Sequence, residues 1–488
     1  MTKEVRRLAL VMLAMFFALL LSVSWIQVVN ADTLAENPYN TRTRLDSYQI
    51  QRGSIIVDGT AIASSSPTND KYRYQRSYVD AAMWAPVTGY YNPVLGASTR
   101  IENALNTDLS GVGSTGLIGE LEQIFTGRPP QGMSVELSLN AAAQKAAWDA
   151  LTEQGLQGAV VAVEPSTGRI LVNVSTPSFD TNTLAAHDAD GVNAAFDVLD
   201  ADPSKPMLNR GFDEIYPPGS TFKLVVAAAA LSSGDYTMAS TFPNPARLPL
   251  AGTDVVVSNA WGGSCGPGAT TTLAEAIRLS CNIPMAELAM KLGPKKIREA
   301  AEKFGFNGSF ETPLGTATSS YPKVVDEAQT AMSGFGQQVV TASPLQMALV
   351  AAGIGNGGMV MNPHMVDAVI GDDFADHRQY ENTELGRAVD PKVAAAITDA
   401  MVASVNSQDG AATGARIDGI DVAGKTGTAE MGGRRPYTLW FTGFAPAEDP
   451  RVAVAVVVEN GGGMGQSGSG DEIAAPIAKR VIEAVLGR

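Results

Sequence analysis

The sequence has few histidines, few cysteines and no excess of basic residues, and each shortage narrows the range of functions. Its three histidines, His187, His364 and His377, form neither a metal-binding spacing nor an evident catalytic triad. A formal net charge of −15 argues against a nucleic-acid partner. Hydrophobic residues make up 45% and charged residues 17% of the chain, which predicts a folded globular protein. The length of 488 residues suggests about two or three domains, and we predict no cofactor and no metal.

One long apolar run lies near the N-terminus. Basic residues precede residues 8–29, and a helix of that length spans a hydrocarbon core about 30 Å thick. The basic flank predicts a cytoplasmic tail over residues 1–7, a single membrane anchor over 8–29 and an extracytoplasmic remainder at the cell membrane. The alternative is a signal peptide cleaved near Ala31, although so long a run favours retention.

The rest of the chain divides into two regions. Residues 30–155 contain short strand-like and helix-like pieces but no cluster that could do chemistry, so we predict a non-catalytic spacer or docking domain. Residues 156–488 begin and end with β-patterned runs such as "GAVVAVEP" and "RVAVAVVVEN", and helical patterns lie between them. Pairing the two ends predicts an α+β fold with an antiparallel sheet of about five strands, covered by helices.

A serine and a lysine three residues apart lie where an apolar helix begins, in "YPPGSTFKLVVAAAAL". Pro217, Pro218 and Gly219 cannot continue a helix, so Ser220 starts one and Lys223 shares its face. Burial and the positive end of the helix dipole both lower the pKa of a lysine, and a neutral amine can accept the serine's proton. The pair predicts a nucleophile and its base. The alternative is a capping serine with a lysine that extends to solvent.

Ser280 and Asn282 form a second polar pair, two residues apart. Such residues do not face each other on a continuous helix, so both side chains enter one cleft only at a helix break. The helical pattern "LAEAIRL" ends there, and Asn282 followed by Pro284 resembles the cap of a new helix. The pair predicts two catalytic side chains at the break, with two simple polar caps as the alternative.

The third motif is formed by Lys425, Thr426, Gly427 and Thr428, at the end of a β-patterned run. On a strand the two threonines share a face, and the glycine admits another backbone. Two hydroxyls and an ammonium suit a substrate carboxylate, and a strand N–H can help to hold an oxyanion. A solvated strand end is the alternative.

The order of the three motifs is more specific than any one of them. SxxK, SxN and KTG follow one another with spacings of 280 − 220 = 60 and 425 − 280 = 145 residues. Two other patterns are rejected. Residues 419–426 fit a phosphate-binding loop but lack the strand before it and the helix after it, and residues 262–266 fit G-x-S-x-G but Pro267 follows in place of a helix.

Only two cysteines occur, Cys265 and Cys281. In an exported protein an even pair can form a disulfide, which requires Cα atoms within about 7 Å. Because Cys281 is the middle residue of the second motif, a bridge would brace the edge of the cleft. Two free thiols remain the alternative.

With these motifs the chain resembles the class B penicillin-binding proteins, most closely their actinobacterial members. The resemblance covers nearly the whole length, including "RGSIIVDG", "LNRGFDEIYPPGSTFK", "TASPLQMALVAAGIGNGG" and "WFTGFAPAEDPRVAVAVVVEN". It implies the transpeptidase fold of penicillin-binding proteins and serine β-lactamases, with a helical subdomain. It also implies a D,D-transpeptidase that cross-links peptidoglycan stem peptides and is acylated by β-lactams. Its implied protein partners are a glycan polymerase and other components of the divisome or elongasome.

The resemblance further implies a role for each motif residue. Ser220 would attack the penultimate D-Ala carbonyl of a stem peptide ending in D-Ala-D-Ala, and Lys223 would be the base. Ser280 would relay a proton to the leaving amine, and Asn282 would orient the substrate amide. Residues 425–428 would hold the terminal carboxylate, and the backbone N–H groups of Ser220 and Thr428 would form the oxyanion hole.

Two features depart from the family pattern. The usual "GQG" phrase is "GFGQQVV" here, and the N-terminal region is shorter than in many class B members. No glycosyltransferase domain is visible, so glycan polymerisation would come from another protein. A D,D-carboxypeptidase, a β-lactam sensor or scaffold, and a β-lactamase are the alternative functions.

Overall fold

A computed structural model describes residues 3–30, 50–111, 131–323, 325–371 and 376–488. The first helix, α1 (Lys3–Ser24), is continued by a π-helical turn at Trp25–Val29. None of the residues of α1 is buried against the rest of the protein, and the helix is long and apolar enough to cross a membrane. The chain therefore fits a single-pass membrane protein.

The strands of the described residues are mostly short, and the longest lie in the C-terminal half. In chain order they are β1 (Ile55–Val57), β2 (Thr60–Pro67), β3 (Tyr74–Tyr78), β4 (Tyr91–Asn92), β5 (Ala97–Ser98), β6 (Ser134–Leu137), β7 (Gly158–Val163), β8 (Ile170–Thr176), β9 (Thr241–Pro243), β10 (Arg247–Pro249), β11 (Val256–Ser258), β12 (Thr270–Thr272), β13 (Met359–Met361), β14 (Val366–Ile370), β15 (Asp376–Gln379), β16 (Glu384–Arg387), β17 (Ala423–Ala429), β18 (Thr438–Ala445) and β19 (Val452–Val458).

The helices connect these strands and cover their faces. After α1 they are α2 (Ala81–Thr88), α3 (Arg100–Ala104), α4 (Asn106–Ser110), α5 (Ala141–Thr152), α6 (Asn182–Ala185), α7 (Ala189–Ala201), α8 (Lys223–Ser232), α9 (Leu273–Arg278), α10 (Ile283–Lys303), α11 (Glu327–Ser333), α12 (Pro344–Gly355), α13 (Pro391–Asn406) and α14 (Ala475–Val485). Helix α10 changes direction at Gly293, whose φ of 75° is not helical.

A five-stranded antiparallel sheet organises the C-terminal region, in the order β17-β18-β19-β7-β8. The hairpin β7–β8 comes from the start of the region and β17–β19 from its end, as the β-patterned runs predict. The predicted α+β fold with a five-stranded antiparallel sheet is therefore confirmed. Strand β17 lies at an edge, so one side of its backbone faces away from β18.

Helices bury both faces of this sheet. Along β19 the side chains alternate: Val454 and Val456 pack in the core with α5 and α14, whereas Ala455 and Val457 pack in the core with α8 and α12. Every residue of β7, β18 and β19 is buried. A sheet covered on both faces has continuous apolar strands, which explains why "RVAVAVVVEN" lacks polar alternation.

A second sheet of six strands, in the order β15-β14-β6-β1-β2-β3, draws on both predicted regions. Strands β1 and β6 pair in parallel, and the other pairs are antiparallel. Because β14 pairs with β6, with Val366 opposite Leu137, residues from beyond position 156 complete a sheet of the N-terminal region. The boundary between residues 155 and 156 stays a prediction.

Candidate active site

Ser220 lies in the 3₁₀ turn Gly219–Phe222, directly before α8. Two glycines let other backbones approach this turn. Gly219 has a φ of 56°, and a Cβ there would lie 3.1 Å from Thr428 O of β17. The Gly219 N–H donates to Gly336 O at 3.0 Å, and a Cβ on Gly336 would lie 2.0 Å from Gly219 O. The "GFGQQVV" segment thus packs directly against the turn that holds Ser220. Only a glycine at position 336 leaves room for the backbone of Gly219.

Lys223 is fully buried beneath the cleft. Its Nζ donates to Ser280 O at 2.6 Å and to Asn282 Oδ1 at 2.8 Å, and lies 3.4 Å from Ser280 Oγ. Burial, and then the positive charge of Lys425, lower the pKa of Lys223 well below its ordinary value. A neutral amine donates two hydrogen bonds and keeps one lone pair, so the two short contacts leave Lys223 able to accept a proton.

The alternative of a capping serine with a solvent-directed lysine does not fit this arrangement. Lys223 points inward, and within the described residues the Ser220 hydroxyl makes no hydrogen bond, to a helix N–H or to Lys223. Catalytic hydrogen bonds are often long before substrate is bound, so the missing Ser220–Lys223 bond leaves the pair in place as a candidate nucleophile and base.

The helical structure is interrupted between α9 and α10, at the second motif, as the spacing of Ser280 and Asn282 predicts. Ser280 has a φ of 62°, a left-handed conformation that a serine adopts at a cost. Asn282 occupies the N-cap position of α10, yet its side chain does not cap the helix. Its Oδ1 instead accepts from Lys223, and its Nδ2 donates to Ser258 O at 2.9 Å. The structure therefore brings both side chains to Lys223, which two simple helix caps would not do.

Lys425 approaches Ser280 from the opposite side. Its Nζ donates to Ser280 Oγ at 2.6 Å and to Thr426 O at 3.0 Å, and the side chain is fully buried. Burial lowers the pKa of Lys425 to about 7, although the nearby charge of Asp471 opposes the shift. The Ser280 hydroxyl thus lies between two buried lysines whose pKa values are both lowered, an arrangement that can pass a proton from one side to the other.

The two threonines of the third motif differ. The Thr426 hydroxyl donates to Ala411 O at 2.7 Å, so its proton is directed away from the cleft. The Thr428 hydroxyl makes no hydrogen bond within the part of the chain that the structure describes. Gly427 allows β17 to pack on the nucleophile turn, because a Cβ there would lie 2.9 Å from Pro218 O. Thr428 therefore has the hydroxyl that is not engaged by another described residue, and the substrate roles of both threonines stay predictions.

Cys265 and Cys281 form a disulfide, with Cα atoms 5.7 Å apart. The bridge joins the loop after β11 to the helix break at Ser280. The cysteines are therefore paired and are not two free thiols. Asn244 holds the same loop, since its Oδ1 accepts from Cys265 N and its Nδ2 donates to Gly268 O at 3.0 Å.

Sequence reasoning missed Asn259, a buried residue directly after β11. Its Oδ1 accepts from the N–H groups of Asn282 at 2.7 Å and Ile283 at 3.3 Å. The residue lies in an irregular loop 23 positions before Asn282, so neither periodicity nor motif spacing marks it. Only the folded chain brings it to the start of α10.

Comparisons with known proteins match both regions of the chain. A family model for the penicillin binding protein transpeptidase domain matches residues 158–483, and one for the penicillin binding protein A dimerisation domain matches residues 52–135. The chain is 41% identical to the peptidoglycan D,D-transpeptidase PbpA of Mycolicibacterium smegmatis, over 100% of this chain and 99% of that protein. It is 40% identical to PbpA of Mycobacterium tuberculosis, with the same coverage. A solved structure of penicillin-binding protein A from M. tuberculosis, a ceftriaxone acyl-enzyme complex, superposes with a TM-score of 0.87 at 40% identity, covering 91% of this chain and 100% of that chain.

Proposed function

The chain belongs to the penicillin-binding protein transpeptidase family, and from this premise we propose a function and a role for each motif residue. The protein is a class B peptidoglycan D,D-transpeptidase that is acylated by β-lactams, as the resemblance predicted. The observation that carries the proposal is a cluster of hydrogen bonds directly after the turn that holds Ser220: Lys223 binds both Ser280 and Asn282, and Lys425 binds Ser280.

Acylation begins with the serine. Ser220 Oγ attacks the penultimate D-Ala carbonyl carbon while its proton passes to the lone pair of Lys223. The backbone N–H groups of Ser220 and Thr428 stabilise the oxyanion. The close approach of Gly219 to Thr428, on the free edge of β17, supports this pair of donors.

Release of the terminal D-Ala completes the first half-reaction. As the C–N bond breaks, the amine takes a proton from Ser280. Ser280 recovers a proton from Lys223, directly or through Lys425, so that Lys223 is neutral again; the contact of 2.6 Å between Lys425 Nζ and Ser280 Oγ supports this relay. Asn282 orients the substrate amide, and Lys425 with Thr428 holds the terminal carboxylate, which Thr426 joins once its hydroxyl leaves Ala411 O. An amine of a neighbouring stem peptide then attacks the Ser220 ester and loses a proton to Lys223. Lys223 returns that proton to Ser220 Oγ as the ester C–O bond breaks, and the cross-link is formed.

The setting of the enzyme follows from the first helix. We propose that α1 anchors the chain with its N-terminus in the cytoplasm, which the basic residues before it support. The catalytic region then works outside the membrane beside a glycan polymerase and other divisome or elongasome proteins. The match of residues 52–135 to a dimerisation domain supports a docking role for the N-terminal region.

The decisive experiment supplies the full chain with a donor stem peptide and an amine acceptor, and identifies the products by mass. We expect a cross-linked peptide and free D-Ala, and a fluorescent penicillin should label the wild type but not Ser220→Ala. Ser233→Ala, at the other end of α8, is the matched control and should label normally. Free D-Ala with no cross-link would indicate a carboxypeptidase. Rapid release of hydrolysed penicillin would indicate a β-lactamase, and acylation without turnover of any stem peptide would indicate a sensor.

A further inference from the structure

The N-terminus of α10 poses a competition for the side chain of Asn282. The first N–H groups of a helix have no partner within it, and an asparagine at the N-cap position normally accepts from one of them. Pro284 removes one such donor, but Ile283 and Met285 keep theirs. Because the Asn282 side chain is bonded to Lys223 and to Ser258 O, it is not available for its own helix.

Asn259 binds two backbone N–H groups at the start of α10. Its Oδ1 accepts from both Asn282 N and Ile283 N, and the residue is only 2% exposed. Its Nδ2 donates to Gly263 O at 2.8 Å, and its own carbonyl accepts from Gly262 N at 2.8 Å, so its side chain is fixed in one orientation.

The dipeptide Ser258–Asn259 therefore holds Asn282 in two ways. The Ser258 carbonyl binds the Asn282 amide directly, and the Asn259 side chain accepts from the Asn282 backbone N–H, so both the side chain and the backbone of Asn282 are fixed. The Cys265–Cys281 disulfide keeps this loop next to the helix break.

We propose that Asn259 is a positioning residue for acyl transfer: it holds the backbone N–H groups of Asn282 and Ile283 and thereby fixes the place from which the Asn282 amide holds Lys223 and the substrate. The proposal rests on the function proposed above and extends it to a residue outside the three motifs. Without Asn259, the backbone N–H groups of Asn282 and Ile283 lose their acceptor, and the start of α10 shifts together with the Asn282 side chain. Lys223 then loses one of its two short acceptors and the position in which it can accept the Ser220 proton.

The test is a double-mutant cycle in the full-length protein, using Asn259→Ala, Asn282→Ala and the double variant. The acylation rate with fluorescent penicillin and the thermal midpoint are measured for each. We expect Asn259→Ala to slow acylation by up to about 100-fold in the wild-type background. In the Asn282→Ala background it should change the rate by less than about threefold, because there is no side chain left to misplace. The thermal midpoint should instead fall by a similar amount in both backgrounds, because the same two backbone N–H groups lose their acceptor in each.

Two further variants separate positioning from general loosening of the loop. Asn259→Asp keeps the accepting oxygen and should restore acylation to within about fivefold of wild type. Asn244→Ala loosens the same loop at Cys265 without touching α10, and should leave the rate within about threefold. Equal losses of rate from Asn259→Ala in both backgrounds, or a wild-type rate in that variant, would overturn the proposal. A wild type that penicillin does not acylate would instead refute the proposed function.

Discussion

Replacing Lys223 by arginine tests the role of a neutral amine most directly. Arginine has no lone pair to accept a proton, since its guanidinium stays protonated in proteins. In the structure Lys223 is fully buried, and its two short contacts to Ser280 O and Asn282 Oδ1 account for both N–H groups of a neutral amine. The remaining lone pair is what the substitution removes.

The expected loss follows from the size of general-base catalysis. A positioned base contributes about 10²- to 10⁴-fold, or roughly 3 to 5 kcal/mol of the barrier at about 1.36 kcal/mol per tenfold. Lys223→Met provides the comparison, because it removes the base without burying a new charge. Both variants should lose acylation by a similar factor. The arginine should lower the thermal midpoint more than the methionine, because its larger charged group has no anionic partner among the described residues around Lys223.

Time courses of fluorescent-penicillin labelling measure the rate, and thermal unfolding measures the stability. Lys479→Arg, on the outer face of α14, is the control for a lysine-to-arginine change and should alter neither. If Lys223→Arg were acylated within tenfold of the wild-type rate, Lys223 would not be the base and the assignment of its lone pair would be wrong.

Three other predictions concern stability and the membrane. Burial lowers the pKa of Lys425 to about 7 from 10.5, so between these pH values the unfolded chain binds a proton that the folded chain lacks, and stability rises with pH. Between pH 7 and 9 the unfolding free energy should rise by up to about 1.4 kcal/mol per pH unit because of Lys425. The variant Lys425→Met should show a smaller rise, and a rise equal to that of the wild type would contradict the lowered pKa of Lys425. Replacing Cys265 and Cys281 by alanine should cost about 3 kcal/mol in chemical denaturation, because the bridge closes a loop over a separation of 16 residues, and unchanged stability would show that it contributes nothing. An epitope fused before Lys3 should remain on the enzyme in carbonate-washed membranes, whereas its loss would indicate a cleaved signal peptide.

The sequence predicts those parts of the site that depend on local chain chemistry. The prolines and glycine before Ser220 require a helix start, and the SxN spacing requires a helix break, so the residues alone place both features. The five-stranded sheet follows in the same way from apolar runs at the two ends of one region.

Contacts between distant segments could not be predicted. On a strand pattern the Thr426 hydroxyl is equivalent to that of Thr428, yet the loop after α13 places Ala411 O within reach of only the first. Asn259 contacts α10 only because its loop packs on that helix. Strands β14 and β6 pair although more than two hundred residues separate them, and no sequence pattern marks the pairing. Tertiary packing decides these contacts, and one sequence carries no periodic signal of them.

The pairing of β14 with β6 limits how the protein can be cut into pieces. A fragment starting at residue 156 would keep β14 and β15 but lose β6, the strand that satisfies the backbone of β14 on its inner side. The exposed row of N–H and C=O groups would then be a template for strands of other chains. A soluble version suited to inhibitor screening should therefore begin before β1. In such a version β6 covers the edge of β14, and the N-terminal region protects the catalytic region from aggregation.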